Sequence, residues 1–359
     1  MCTIIKTIIM QRTTIIYLKA LKNNVYFFII LGLFCFFASS CGHENTQTLP
    51  VLTTNNITQI KRTTAFTGGS IPLDGGATIT ARGVCWSTEE TPTISNFKTI
   101  DGTGTGDFNS YLSDLSQGTT YYVRAYATNS VGTAYGNTIS FRTLQNGETG
   151  SFTDTRDNYT YQTITIGDQV WMAENLKFLP IVNSLTDDSD RIPYYYVYDY
   201  NGTDVNIAKA TENYNTYGVL YNWTAAMDGS HSSAENPSGV QGICPCGWHI
   251  PSDAEWLELM DYIGGDLNGG KLKETGTEHW SGPNLGATNL TGFTALPGGL
   301  LTPDYSFSEL RNYGYWWTAS DTGYPDNWGW SILLSAYNTN ITIYTHQKEF
   351  GISVRCVKD

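Results

Sequence analysis

The chain has 359 residues, 40% of them hydrophobic and 13% aromatic, enough to build buried cores and to exclude global disorder. Only 15% are charged, and the formal net charge is −13. Nucleic-acid binding needs a positive face to engage phosphates, and nothing in this composition supplies one. The length fits two folded domains or one large one, and the 36 glycines and 24 tyrosines suit a strand- and turn-rich exported protein.

Residues 1–40 contain Lys6, Arg12, Lys19 and Lys22 and no acid, which leaves 20 − 4 basic against 33 acidic residues beyond them, a net of −17. An uninterrupted apolar run spans residues 25–37. It is shorter than the roughly 20 residues of a membrane-spanning helix and suits the core of a signal peptide. Ala38, Ser39 and Ser40 then precede Cys41. This order resembles the bacterial lipoprotein box, in which the cysteine thiol is acylated and the cysteine becomes the new amino terminus. The resemblance implies a signal peptide over 1–40, lipid attachment at Cys41, and an exported protein anchored in the cell envelope, at the outer membrane. Met10 is an alternative start, because residues 10–40 already form a complete leader.

Residues 41–50 are polar and unpatterned and read as a tether. From 51 to 143 short alternating segments are separated by glycine and asparagine turns, the pattern of a β-sandwich. Tyr121 follows a turn and opens the segment Tyr122-Val-Arg-Ala-Tyr-Ala-Thr-Asn129, which is the setting of a tyrosine corner. Together with Ala81-Arg-Gly-Val-Cys-Trp-Ser87 and Gly132-Thr-Ala-Tyr-Gly-Asn-Thr-Ile-Ser-Phe141, it resembles a fibronectin type III domain. Cys85 has no partner there and reads as a free buried thiol. Gly102, Gly104 and Gly106 lack the lysine and helix of a phosphate loop and read as a turn.

Residues 144–151 read as a linker. Tyr161-Gln-Thr-Ile-Thr-Ile166, the dipeptide Gly167-Asp168 and Gln169-Val-Trp-Met172 predict a hairpin. Ser252 and Glu255 predict a capping box. It opens a helix with Leu257, Met260 and Ile263 on its inner face, closed by Gly264-Gly265. A second hairpin is expected over 328–346 and a last strand over 351–357.

Seven blocks in order across residues 152–359 resemble the Fibrobacter succinogenes major paralogous domain, a family of exported bacterial modules. They are Ile166-Gly-Asp-Gln-Val-Trp-Met-Ala-Glu-Asn-Leu176, Tyr217-Gly-Val-Leu-Tyr-Asn-Trp223 and Ile243-Cys-Pro-Cys-Gly-Trp-His-Ile-Pro-Ser-Asp-Ala-Glu-Trp256. Gly270-Lys-Leu-Lys-Glu-Thr-Gly276, Gly292-Phe-Thr-Ala-Leu-Pro-Gly-Gly299, Gly314-Tyr-Trp-Trp-Thr-Ala-Ser320 and Val354-Arg-Cys-Val357 follow. The block around Trp248 also resembles the helix start of formylglycine-generating enzymes, which implies an irregular α+β, C-type-lectin-like domain. Those enzymes use two closely placed cysteines near the carboxyl end. Here Cys356 alone follows Cys246, so their activity does not carry over. The whole chain thus reads as a signal peptide, an all-β fibronectin type III-like sandwich, and an irregular α+β C-type-lectin-like domain.

Cys356 shares its strand face with Ile352 and Val354 and should point inward, so a disulfide is expected. Cys244 and Cys246 are too close in sequence to bridge each other well, and either can be the partner. The family motif implies Cys244. No histidine pair has metal-site spacing, and His249 reads as a structural hydrogen-bonding residue. The acids at 187–190 and 199–204 read as solvated loops rather than a calcium site. No cofactor, metal or catalytic residue is expected.

Nine of the ten tryptophans lie beyond residue 152. Indoles stack on sugar rings and anchor interfaces, so Trp280, Tyr315, Trp316, Trp328 and Trp330 are the expected ligand-binding residues. The competing expectation is that all five are core. Trp316 and Trp317, being adjacent, should face opposite sides if extended. The sequence therefore predicts a non-catalytic surface-binding or adhesion protein with a carbohydrate or protein ligand. The alternative is a lectin-like enzyme acting on glycans with carboxylates that no motif marks.

Overall fold

A computed structural model describes residues 46–185, 190–323 and 327–359. The expected signal peptide and half of the expected tether, Cys41 included, lie outside these residues, as do Asp187 and Asp188. Among the described residues no helix is long and apolar enough to cross a membrane.

Alternation of buried and exposed side chains puts residues 51–142 into eight strands. These are β1 (Val51–Thr54), β2 (Ala65–Leu73), β3 (Ala81–Ser87), β4 (Phe97–Lys98), β5 (Gly106–Leu112), β6 (Thr120–Thr128), β7 (Thr133–Tyr135) and β8 (Ile139–Arg142). One sheet has the order β1-β2-β5 and the other β4-β3-β6-β7, with β8 also on β6. This is an all-β sandwich of fibronectin type III-like order, closed on a core of Ile71, Val84, Trp86, Phe108, Val123 and Phe141. The tyrosine corner is present, since the Ser116 N–H donates to the Tyr121 hydroxyl at 3.0 Å. Burial pushes the Cys85 thiol up to about 11, and Cys85 is free and inert in this core.

The expected linker over 144–151 is built into the next sheet instead. Gly147 N–H donates to Thr165 O at 2.8 Å, and β9 (Thr149–Thr153) pairs antiparallel with β10 (Thr160–Ile166). Its run Thr-Gly-Ser-Phe-Thr has a single apolar residue, so sequence patterning alone cannot mark it as a strand; β10 recruits it through backbone pairing, and Phe152 stacks on Tyr161 and Trp248. The expected hairpin follows: β10 pairs with β11 (Gln169–Met172), and Gly167 takes the φ of 60° needed at the turn. Asp168 at this turn accepts from the Arg62 backbone N–H (3.0 Å) and Nε (2.9 Å) of the sandwich, while Arg62 lies 5.0 Å over the Tyr262 ring.

Beyond it come β12 (Tyr195–Tyr196), α1 (Val205–Lys209), α2 (Glu212–Tyr217), β13 (Leu220–Tyr221), α3 (Trp223–Met227) and β14 (Trp248–His249). Then follow α4 (Asp253–Ile263), β15 (Leu300–Leu301), β16 (Phe307–Ser308), β17 (Tyr313–Asp321), β18 (Trp328–Ser335), β19 (Ile341–Gln347) and β20 (Val357–Lys358). The capping box on α4 is complete, and Gly264 closes the helix at a φ of 97°. Its inner face is Trp256, Leu259, Met260 and Ile263; Leu257 is 45% exposed, one helical position away from the expected face.

The last strand departs most from expectation. Residues 351–357 are all buried and do not alternate. Gly351 bridges Leu301, Ile352 bridges Tyr221, and Ser353 bridges Trp316. Val354 and Cys356 then accept from the Leu176 and Met172 N–H groups, and only Val357–Lys358 form β20, between β14 and β11. The segment is a strap through the middle of the domain, with a different partner at each step.

Cys244 and Cys356 form the disulfide, with Cα atoms 6.0 Å apart, and Cys246 is a free, exposed thiol. The bridge closes a loop of 112 residues. Cys356→Ser should therefore lower unfolding stability by about 4–5 kcal/mol in the chain-entropy account. Urea titration of the oxidised protein and the variant checks this; a loss below about 1 kcal/mol would show that loop closure is not what stabilises the strap.

Candidate functional site

The three-stranded sheet β17-β18-β19 carries most of the expected binding residues. Its register pairs Trp316 with Ile332 and Ile332 with Ile343, so Trp316, Trp328, Trp330, Ile332 and Leu334 share one face. Tyr313, Tyr315, Trp317, Leu333, Tyr344 and His346 share the other. Each face meets a core, the first against Trp256, Leu259 and Met260 of α4 and the second against Tyr221, Trp223 and the disulfide. Coverage on both sides holds β17 and the middle of β18 as core and leaves the sheet's ends and its edge strand β19 open to solvent.

That geometry divides the five expected ligand-binding residues. Trp280 and Trp316 are fully buried, and their indole N–H groups donate to Ala295 O and Asn175 Oδ1, both at 2.9 Å. Tyr315 is 8% exposed and lies edge-on to His346. These three are core residues, and their N–H groups and rings are already engaged inside the fold. Trp316 and Trp317 do face opposite sides, and both are buried.

Trp328 and Trp330 remain. Trp328 is 40% exposed and Trp330 partly so, at alternate positions of β18 on one face. Their cross-strand partners on β19 are Gln347 and Thr345. Two indoles thus stand beside an amide and a hydroxyl in adjoining rows about 7 Å apart. Ion pairs and hydrogen bonds close this end of the sheet. Lys348 Nζ lies 2.9 Å from Asp321 Oδ2, and Asn327 Nδ2 donates to Glu349 Oε1 at 2.8 Å. Burial alone would raise Asp321, but the Lys348 ammonium prevails and holds the carboxyl below the usual range.

Sequence reasoning missed a second aromatic surface on the opposite face. Tyr337 (49% exposed) and Tyr344 (51% exposed) flank half-buried Tyr313 and Leu333, with Tyr313 and Tyr337 ring centres 6.1 Å apart. Alternation in Ile341-Thr-Ile-Tyr-Thr-His-Gln347 was the available signal, overshadowed by the tryptophans.

The family blocks meet elsewhere, in the interior. Asn175 Nδ2 donates to Tyr217 O (3.0 Å) and Ser353 Oγ (3.3 Å), while its Oδ1 accepts from Trp316 Nε1 and from Arg355 (2.8 Å). Fully buried Arg355 also donates to Phe293 O and Thr294 O and stacks 4.2 Å over the Phe293 ring. Blocks from five separate stretches therefore converge on one buried knot.

Residues 164–358 match the family model described as Fibrobacter succinogenes major domain. The chain belongs to that family. The family matches 195 of the 359 residues, β10 to β20, and includes the Asn175–Arg355 knot. Among solved structures, the sensor domain of the anti-sigma factor RsgI4 in Pseudobacteroides cellulosolvens is similar at 18% identity over 27% of this chain and 96% of that one (TM-score 0.21). A fibronectin type III domain derived from human KIAA0970 protein is similar at 18% identity over 30% and 85% (TM-score 0.22). The fibronectin type III-like assignment rests on strand order rather than on these likenesses. No curated protein matches the chain.

His249, expected to be structural, is 3% exposed, with Nε2 2.6 Å from Glu255 Oε1 and Nδ1 2.7 Å from Asp359 Oδ1. Burial works against its charge, but Glu255 and then Asp359 outweigh it and raise its pKa. Of the acids weighed as calcium ligands, Asp204 caps α1, accepting from the N–H groups of Asn206 and Ile207. Among the described residues no three His, Cys, Asp or Glu side chains gather as a metal set.

His346 is the opposite case to His249. It is 4% exposed among Tyr315, Trp317, Tyr344 and Phe350, and burial pushes its pKa down to about 4. Its neutral form is the folded one, so its contribution is complete above the unfolded value of about 6.5 and is lost as pH falls toward 4, by about 3 kcal/mol. The stability difference between the protein and His346→Gln should shrink over that window in urea titrations; a difference independent of pH would show that His346 does not titrate there. His249 has the reverse sign, stabilising below 6.5 and losing that as pH rises through its raised value. Trp280→Ala should cost about 3–5 kcal/mol as a core deletion. Trp328→Ala should change thermal stability little, by about 0.5 kcal/mol.

Proposed function

We propose that the protein is an exported bacterial lipoprotein, held to the cell envelope through acylated Cys41, that binds carbohydrate on the Trp328–Trp330 surface without catalysing a reaction. One observation carries the ligand class. Two indoles stay unburied side by side in a domain that buries its other tryptophans, and amide and hydroxyl side chains stand at the paired positions. Indole faces pack against the C–H faces of sugar rings, and Gln347 and Thr345 supply the hydrogen bonds that distinguish a sugar from a plain apolar partner. The family domain is read as C-type-lectin-like, with short strands, one capped helix and long connections around a disulfide. In this reading the sandwich acts as the spacer between anchor and binding domain.

A glycan-processing enzyme is the second class, and it would need two carboxyl groups ~5–9 Å apart beside the aromatic surface. At this end of the sheet Asp321 is engaged by Lys348 and Glu349 Oε1 by Asn327, while Glu349 Oε2 is buried with no hydrogen-bond partner among the described residues.

A glycan array probed with the chain from residue 42 onward should return a defined set of saccharides. Trp328→Ala and Trp330→Ala should each weaken the strongest hit about tenfold or more while the circular dichroism and melting temperature stay unchanged. Undiminished binding by the double variant would end the assignment of this surface, and turnover of the glycan would end the non-catalytic reading.

A further inference from the structure

The two ends of the sandwich differ sharply in chemistry. At the far end, the turn between β1 and β2 carries Lys61 and Arg62 and meets the family domain through Asp168 and Tyr262, and the chain leaves there, Leu144 N–H donating to Lys61 O. The near end is where the chain enters at Thr48. The buried Asn129 side chain gathers three segments there. Its Nδ2 donates to Thr48 O (2.7 Å) and Asp74 O (2.8 Å), and its Oδ1 accepts from Val131 and Gly132.

Four apolar side chains stand on this gathered end: Leu49 (45% exposed), Val51 (52%), Leu73 (61%) and Val131 (48%). Val51 and Leu73 are direct cross-strand partners and so share a face. Leu49 reaches the β6–β7 turn, since a Cβ on Gly132 would lie 3.2 Å from its Cδ2. Across residues 46–54, 71–80 and 128–136 the single charged residue is Asp74. Asp101 lies in the neighbouring β4–β5 loop and Asp107 at the start of β5, and that loop joins this end where Gly104 N–H donates to Ile79 O. Asp74 is turned to its own loop, its Oδ1 accepting from Gly76 N–H at 2.8 Å.

The geometry points to this apolar end as a docking surface for the lipid bilayer, so that the sandwich stands end-on on the membrane with the family domain held outward. The inference rests on acylation of Cys41. That residue precedes Thr48 by seven positions. The span is at most about 25 Å of extended chain, which keeps the patch within reach of the lipid at all times. A tether so short removes most of the entropic cost of docking. Lacking basic residues, the patch engages through apolar contact with the interface and acyl region rather than through anionic headgroups.

The test uses the full chain with Cys246→Ser, purified from a bacterial envelope and reconstituted in neutral phosphatidylcholine vesicles. Nitroxides are placed at Leu73→Cys and, on the β5 strand toward the far end, at Tyr111→Cys. At Leu73, accessibility to a water-soluble nickel chelate should fall several-fold on vesicle binding while Tyr111 stays unchanged, and adding Leu49→Asp should restore chelate access with flotation intact. Vesicles that float with the protein while Leu73 stays as accessible as Tyr111 overturn the docking surface. So does spin–spin broadening at Leu73 that marks pairing of two copies. Equal flotation of a Cys41→Ala variant, or none of either protein, removes the anchor itself, and the docking inference falls with it.

Discussion

The family domain depends on one buried cation. Arg355 sits at the centre of the strap with its guanidinium out of water, donating to Asn175 and to the carbonyls of Phe293 and Thr294 and lying against Phe293 and Trp316. A charge so placed is costly unless its neighbours stay in position, so the segments that supply those oxygens and rings are obliged to meet. The strap then takes a new backbone partner at nearly every residue, from Leu301 to Tyr221, Trp316, Leu176 and Met172. A chain segment hydrogen-bonded in turn to five others cannot belong to one sheet. It is the reason the domain coheres with so little regular structure. The disulfide at Cys356 locks the strap to the stretch before β14.

A second buried cation repeats the principle at smaller scale. Lys273 Nζ donates to the carbonyls of Leu285, Ser335 and Asn338, which uses all three of its protons, and burial pushes its pKa down to about 8. It ties two loops to the β18–β19 turn beneath Trp280. Asn222 does similar work with a neutral side chain, capping α3 while bonding the backbone of Tyr194 and Ile192. The residues that carry the family resemblance are therefore largely the ones that fold the domain. They determine the frame, and the sheet ends and loops that the frame exposes are left outside it.

The junction between the two domains follows the same logic at a surface. A short strand continues from the sandwich directly into the five-stranded sheet, and Asp168 in the first hairpin takes two hydrogen bonds from Arg62. Partly exposed ion pairs contribute modestly one by one, but here backbone pairing, a forked contact and a cation over Tyr262 act on the same few residues.

Local order was legible in the sequence wherever a short-range rule governs it. The first hairpin, the α4 capping box, the tyrosine corner and the inward cysteine of the strap each follow from residues within a few positions of one another. The opposed directions of Trp316 and Trp317 follow from strand pleating in the same way. Which tryptophans reach solvent and which are core did not follow, because burial depends on what the rest of the chain brings to the opposite face. The sheet that carries Trp316, Trp328 and Trp330 is covered on both sides by segments distant in the chain, and coverage stops short of its end. The strand at 149–153 and the strap at 351–357 were hidden for a related reason, since their partners are backbone groups, which no side-chain pattern records. The sequence by itself determined the family, the local elements and the chemistry available. Only tertiary structure decided which aromatic rings meet solvent, because that is a property of distant segments arriving or failing to arrive.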